Sequence, residues 1–384
     1  MASLLEPGSH RAAGVVDDDA LVAGMVRVEE AWLRVLGGSG TVEKPVVLDV
    51  AEVESGGNPV LPLVRALRAE LGEDVHRGLT SQDVLDTAMM LLARDVVTRM
   101  TSDLGKLADS LAGLAAAHRQ SLMVGRTLTQ YAVPVTFGLK AAQWLTGVLD
   151  ARAAVGAVVL PVQCGGAAGT LALAGELVAD PLAAARALAD DLGLVAPGIG
   201  WHTRRTPVTR LGDALVETCD ALGHIAGDVL LLGRPEIAEV REAPSAGRGG
   251  SSTMPQKQNP VLSVLVRSAA LQAPQLGAQL HVCAADSQDE RSPGAWHAEW
   301  PALRRLLELA LTASSQSAEL VAGLEVDTAA MRRRAESAAD QLLSERGSVA
   351  SERESEAAAP DPASYLGSSD ALIDVALARW KSRG

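Results

Sequence analysis

Small aliphatic residues recur at spacings of three and four along most of this chain, and that period limits the fold more than any other feature. Leu104, Leu107, Leu111 and Leu114 form one seam, and Phe137, Ala141, Leu145 and Val148 a second. Leu211, Leu215, Leu222, Ile225 and Val229 form a third. Further long helices are expected from Pro260 to about Ala285 and over residues 301–324, the latter with Leu303, Leu307 and Leu311 on one face. Such spacing places side chains on one stripe of an α-helix and suits helix-on-helix packing. Hydrophobic residues make up 48% of the 384 but aromatics only 2%. The core must therefore be built from Ala, Leu and Val, which favour helix and let helices approach closely. The runs VVLDV (46–50) and VVL (158–160) are too short and scattered to build a sheet. The expected fold class is all-α.

Three regions are expected. An N-terminal region, 1–100, contains the loop LGGSGTVEKP; a central long-helix block follows over 101–326; a small C-terminal helical domain, 327–384, holds the breaker stretch AAAPDPASYLGSSD. No tandem repeat is present at solenoid periods. The formal charge of −13, with no basic block, argues against nucleic acid as a partner. Cys164, Cys219 and Cys283 match no metal or redox spacing and suit reduced thiols. Residues 153–175 carry no charge, but Pro161, Gln163 and five glycines interrupt them, against a lipid-facing helix. The N-terminus lacks a signal-peptide pattern. A cytoplasmic protein with no membrane association is expected.

Polar islands interrupt this helical chain. The first is AGRGGSSTMPQKQNPVLSVL, 246–265, a glycine-rich cationic loop before a helix. Asn259-Pro260 is a good helix start, and a capped connector explains it as well as a ligand site does. The functional reading uses the same geometry: a helix N-terminus and Lys257 attract an anion, and glycines let backbone amides approach it. In such a positive field a serine hydroxyl can act as a base beside a carboxylate. The second island, DVHRGLTSQDVLDTAMMLLARDV (74–96), places Leu85, Ala88, Met89, Leu92 and Val96 on one helix face. Thr80 with Asp83 resembles a capping box; alternatively Thr80 and Ser81 donate to a carboxylate, with His76 just upstream. The third, GRTLTQYAVPVTFGLKAA (125–142), holds Arg126, Thr127, Thr129 and Gln130 and reads as a loop leading into a helix. In QDERSPGAWHAEWPAL (288–303), Arg291 is a candidate anion clamp, while Trp296, His297 and Trp300 read as packing residues.

Taken together, the islands resemble the aspartase/fumarase superfamily. GSSTMPQKQNP matches its signature, G-S-S-x-M-P-x-K-x-N-P; VHRGLTSQD resembles its first motif and GRTLTQ its second. The segments LTSQDVLDTA, VPVTFGLKAAQWL, GGAAGTLA, AWHAEW and SDALIDVALARW are most similar to the 3-carboxy-cis,cis-muconate cycloisomerases, over about Asp17 to Trp380. The resemblance implies three helical domains, with central helices forming a homotetrameric bundle. It also implies active sites shared between subunits, a small di- or tricarboxylate substrate, and neither metal nor organic cofactor. It makes Ser251 the base with Ser252 beside it, and gives Lys257 and Asn259 a substrate carboxylate. Thr80, Ser81, Thr127 and Gln130 would hold carboxylates from the other walls. The loop would close over the substrate as a flap.

The chain departs from that pattern at three places. Lyases of the superfamily carry His where Leu128 stands, cycloisomerases carry His where Tyr131 stands, and Arg77 replaces a neutral or aromatic residue. Tyr131 and His76 are then the candidate proton donors. The expected reaction is lactonisation of 3-carboxy-cis,cis-muconate. The alternatives are a lyase that releases fumarate by eliminating ammonia, an amine or nitrite from a substituted succinate, and a non-catalytic packing or binding member.

Overall fold

In the computed structural model, which describes residues 4–245, 247–254, 256–346 and 361–382, the leucine seams fall on long helices. Helix α4, Ser81–Ala117, buries Leu104, Leu107 and Leu111 completely. Helix α5, Phe137–Gly156, does the same with Phe137, Ala141, Leu145 and Val148. Helices α8 (Thr206–Leu232), α9 (Val261–Ala285) and α10 (Ala295–Ala322) complete the set. The chain is mostly helical, as the aliphatic seams require. Among the described residues, no helix is long and apolar enough to cross a membrane.

The chain sorts into two compact units. The first comprises Met1–Met100, Ala154–Val216 and Gln272–Thr312. Its shorter helices are α1 (Asp18–Val35), α2 (Val50–Gly56), α3 (Val60–Leu71), α6 (Ala172–Leu177) and α7 (Pro181–Leu192). Met25, Val28 and Trp32, at successive turns of α1, share one core with Leu63 and Leu67 of α3, Leu85 and Ala88 of α4, and Leu188 of α7. Residues 46–49 of VVLDV form no strand, and Asp49 caps α2 by accepting from Ala51 N at 2.9 Å.

The second unit comprises Thr101–Ala153, Glu217–Leu271 and Ala313–Gly384. Here the structure differs from the loop expected around GRTLTQ. Strand β1, Leu122–Thr127, pairs antiparallel with β2, Gln130–Thr136. Leu128 and Thr129 join them with φ of 48° and 70°, the left-handed pair of a two-residue type I′ hairpin turn. Neither residue favours that region, so the usual Asn-Gly signal is missing. The pairing slips between Val124 and Arg126, and a Cβ on Gly125 would lie 2.5 Å from Val133 O, so only glycine fits the bulge. Strand β3 (Val240–Glu242) pairs with β4 (Leu324–Val326). Helices α11 (Thr328–Ser337) and α12 (Ala339–Leu342) pack on the hairpin. The segment SDALIDVALARW lies in a final helix, Ser369–Lys381, where Trp380 Nε1 donates to Asp109 at 3.0 Å. Of the breaker stretch 357–370, residues 357–360 lie outside the described residues.

The three cysteines are free and buried. Burial, reinforced by Asp220, pushes the Cys219 thiol up to about 12, so it packs as a neutral group.

Candidate active site

In the first unit the VHRGLTSQD segment leads into α4. Thr80 N donates to Asp83 Oδ2 at 3.0 Å, one half of the expected capping box. The other half is absent among the described residues: Asp83 N donates to Thr80 O at 2.9 Å, and Thr80 Oγ1 accepts from Arg291 Nη2 at 2.5 Å. Arg291 also donates to Ala167 O at 3.1 Å. The structure thus brings Thr80 and Arg291 together, 211 residues apart in sequence. Ser81 opens the helix and is half-buried.

Asp83 does more than cap. Fully buried, it accepts from Gly165 N at 3.0 Å and Gly166 N at 2.9 Å, and its Oδ1 faces His202 Nε2 at 2.8 Å. One turn on, Asp86 accepts both terminal nitrogens of Arg205, at 2.7 and 3.0 Å, and Trp296 Nε1 at 2.9 Å. Glu299 closes the cluster on Arg205 Nε at 3.0 Å and Nη2 at 2.5 Å. Burial opposes the Arg205 charge, but Asp86 and Glu299 outweigh it and hold the guanidinium protonated. His202 and Arg205 are therefore scaffold beneath the Thr80 loop. Trp296 packs edge-on against Trp300, with ring centroids 4.6 Å apart, as expected of packing residues.

His76 sits in a tightly held turn. Its φ is 67°, a left-handed value that costs a non-glycine residue about 1–3 kcal/mol. Its Nδ1 lies 2.6 Å from Oε1 of Glu29, which is 1% exposed. Among the described residues Glu29 Oε2 is buried without a hydrogen-bond partner, which costs roughly another 1–3 kcal/mol.

In the second unit the hairpin carries Thr127, Gln130 and Tyr131 on exposed backbone. Leu128, at the tip, is 95% exposed. Among the described residues Gln130 Nε2 donates only to its neighbour Thr129 Oγ1, at 3.3 Å. Arg126 is engaged elsewhere: its Nη1 and Nη2 lie 3.1 and 2.9 Å from the two oxygens of Glu239, which is completely buried. Arg334 Nε also donates to Glu239, at 3.1 Å. This arrangement anchors the hairpin, and Arg126 sits 5.8 Å from the Tyr131 ring centroid.

The signature loop is closed at its neck. Asn259 donates to Gly249 O through its backbone N, at 2.8 Å, and through Nδ2, at 3.0 Å. Gln258 Nε2 donates to Arg248 O at 2.9 Å. Gly249 has φ of 77°, and a Cβ there would lie 2.6 Å from Asn259 O. Within the loop, Ser251 Oγ accepts from Met254 N at 3.2 Å and from Thr253 N at 3.4 Å. Ser252 and Lys257 are exposed. The loop and the hairpin share no hydrogen bond among the described residues.

The start of α9 corrects the expected cap. Asn259 does not cap it; Glu242 of β3 accepts from Ser263 N at 2.7 Å and Leu262 N at 3.2 Å. Ser263 is fully buried, so its amide needs a protein acceptor, and a carboxylate suits the positive helix end better than an amide oxygen. The anion at this helix end is thus the protein's own.

The sequence reading missed Glu29, Glu239, Glu242, Asp86 and Glu299. Asp83 and Asp86 left a signal: acids three apart on the same first turns of α4 as Leu85 and Ala88 have no solvent to face and need buried partners. The other acids lie far in sequence from their partners and left none.

These features describe a helical protein with a serine-bearing polar loop, a threonine hydroxyl held by an arginine and an exposed hairpin tip. The chain belongs to the aspartase/fumarase superfamily, and the Lyase family profile matches residues 49–274. It is 44% identical to the nitrosuccinate lyase of Streptomyces davaonensis, over 86% of this chain and 76% of that protein. It is 38% identical to the 3-carboxy-cis,cis-muconate cycloisomerase of Bradyrhizobium diazoefficiens, over 86% of this chain and 78% of that protein. The crystal structure of the 3-carboxy-cis,cis-muconate lactonizing enzyme from Pseudomonas putida superposes with a TM-score of 0.82 at 30% identity, covering 98% of this chain and 97% of that one.

Proposed function

We propose that this enzyme removes a proton from a carbon next to a carboxylate and expels a stable anion from the neighbouring carbon, with nitrosuccinate as the substrate. The observation that carries the reading is the hairpin tip. Leu128 is a solvent-exposed leucine and no imidazole occupies position 131, so this wall supplies no histidine to protonate a departing group. Ammonia and amines must be protonated to leave well; nitrite and carboxylate leave as anions. The nitrosuccinate lyase relative also shares more of its sequence with this chain than the cycloisomerase relative does, which puts the lyase alternative first.

In this reading Ser251 is the base. Two backbone amides already point at its oxygen and would stabilise the alkoxide. Its Oγ takes the proton from C3, the C3–H pair becomes the C2–C3 double bond, and the C2–N bond breaks with its electrons leaving on nitrite. The product is fumarate. Lys257 and Asn259, with Ser252 beside the base, hold the carboxylate next to the acidic carbon. Thr80, Ser81, His76 and Arg291 hold the other carboxylate, and Thr127, Gln130 and Tyr131 face the leaving group. Arg126 acts through Glu239 to fix the hairpin. A homotetramer completes each site with segments from several subunits. The exposed Val264, Leu271 and Val282 along α9 support such a bundle.

A second reading, lactonisation of 3-carboxy-cis,cis-muconate, is favoured by the near-complete superposition on the Pseudomonas putida enzyme. It uses the same groups in the opposite sense: a substrate carboxylate adds across the double bond and Ser251–OH protonates the adjacent carbon.

The test is to incubate the purified enzyme with each substrate. Nitrite and fumarate appearing in equal amounts from nitrosuccinate are expected. Loss of the muconate diene absorbance without nitrite release would hand the assignment to the second reading, and no turnover of either would sink both. On the active substrate, Gly249→Ala should lower kcat by about 10- to 10²-fold, because a Cβ there forces the loop neck open and displaces Ser251. Steady-state kinetics with a thermal melt as control measures this. An unchanged kcat would show that the neck does not position the base.

A further inference from the structure

The turn that carries His76 is held at three consecutive residues. Arg68 of α3 donates to Val75 O, from Nε at 3.3 Å and Nη2 at 3.2 Å. Trp32 Nε1 donates to Arg77 O at 2.7 Å. Between them, Glu29 meets the His76 ring itself at 2.6 Å. Glu29 and Trp32 lie one turn apart on α1, so a single helix face grips both the ring and the following peptide.

This grip is poor as pure packing. It keeps a non-glycine residue in left-handed backbone and leaves one oxygen of a buried carboxylate without a partner among the described residues. An aliphatic residue in place of Glu29 would fill the space without the orphaned oxygen, and glycine in place of His76 would remove the backbone cost. It is good as orientation. A carboxylate oxygen only accepts, so the proton of His76 must sit on Nδ1, and Nε2 is left as the working nitrogen. Among the described residues Nε2 makes no hydrogen bond.

We propose that Glu29 is a positioning residue that forms a carboxylate–imidazole dyad with His76. It fixes the ring and its Nδ1 proton so that Nε2 meets the anionic substrate. When Nε2 takes up a second proton toward that anion, the single positive charge this puts on the ring is matched by the buried carboxylate at Nδ1. The inference rests on the proposed reading of His76 as a substrate-facing group.

The experiment uses full-length wild type, Glu29→Gln, Glu29→Asp, His76→Gln and the Glu29→Gln/His76→Gln double variant. Each is assayed for kcat and KM with nitrosuccinate and with 3-carboxy-cis,cis-muconate, with Ser251→Ala as control. Solid-state spectra of 15N-histidine-labelled protein report which ring nitrogen of His76 is protonated, assigned by the signal lost in His76→Gln. Glu29→Gln should lower kcat at least about 10-fold with a smaller change in KM, and the double variant should be no worse than His76→Gln. Glu29→Asp, which keeps the charge, should recover part of the rate, and it carries the test if Glu29→Gln does not fold. The Nδ1–H signal of His76 should shift in Glu29→Gln.

Near-wild-type kcat in Glu29→Gln beside a crippled His76→Gln would overturn the dyad and leave His76 in its proposed role. Wild-type rates in both, with Ser251→Ala inactive, would remove His76 from the site and the dyad with it. If wild type consumes neither substrate, the proposed function fails and the spectra decide: an unprotonated Nδ1, or a signal indifferent to Glu29→Gln, overturns the pair, and a shifted Nδ1–H signal sustains it.

Discussion

Ser251→Ala is expected to lower kcat by about 10³-fold or more while leaving assembly and thermal stability at wild-type values. Among the described residues the side chain of Ser251 makes only the hydrogen bonds its oxygen accepts from the amides of Thr253 and Met254. Those amides can turn to water after the substitution, so the fold loses little. In the proposed mechanism the reaction loses its proton acceptor. KM should change far less than kcat, because Lys257 and Asn259 still hold the substrate in the proposed site. Steady-state kinetics on the active substrate, with a melt and a native-mass measurement, separates the two effects. A variant with a tenth or more of the wild-type rate would move the base to another residue.

Arg205→Met is the matching prediction for stability, a loss of about 3–5 kcal/mol. The guanidinium is buried between Asp86 and Glu299, and methionine fills similar volume without charge. Two carboxylates would be left in the core, each needing protonation or water. Because Asp86 also holds Trp296, and the neighbouring Asp83 holds the GGAAG loop, the Thr80 segment should loosen as well. Chemical denaturation measures the loss. Adding Asp86→Asn and Glu299→Gln to Arg205→Met should restore much of it, since neutral amides carry no charge to desolvate and keep an acceptor for Trp296 Nε1. A single variant within about 1 kcal/mol of wild type would mean that water reaches the cluster and the charges were never dry.

What the sequence made legible followed from short-range periodicity. Leu211, Leu215, Leu222, Ile225 and Val229 are all buried on one helix, because a 3.6-residue period is a property of neighbours along the chain. The hairpin was hidden for a local reason: Leu128-Thr129 occupies a turn that Asn-Gly ordinarily marks, and the strain is visible only in the backbone angles. The Glu239–Arg126 pair and the Glu29–His76 pair span 113 and 47 residues, and no spacing rule reaches so far. Motif wording brought out Ser251 and Thr80, and a polar cluster Arg291; neither could show that Arg291 rests on the Thr80 hydroxyl, or that Glu242 already fills the start of α9.

The closed neck between Gly249 and Asn259 bears on how such enzymes change their diet. With both ends pinned, the residues between them form a lasso whose closure entropy grows slowly, by about 0.6 kcal/mol for each doubling of length. Insertions at its tip would leave α9 and its Glu242 anchor undisturbed. In the proposed site, insertions at that tip are a route by which substrate range can drift while Ser251, Lys257 and the helical scaffold keep their places.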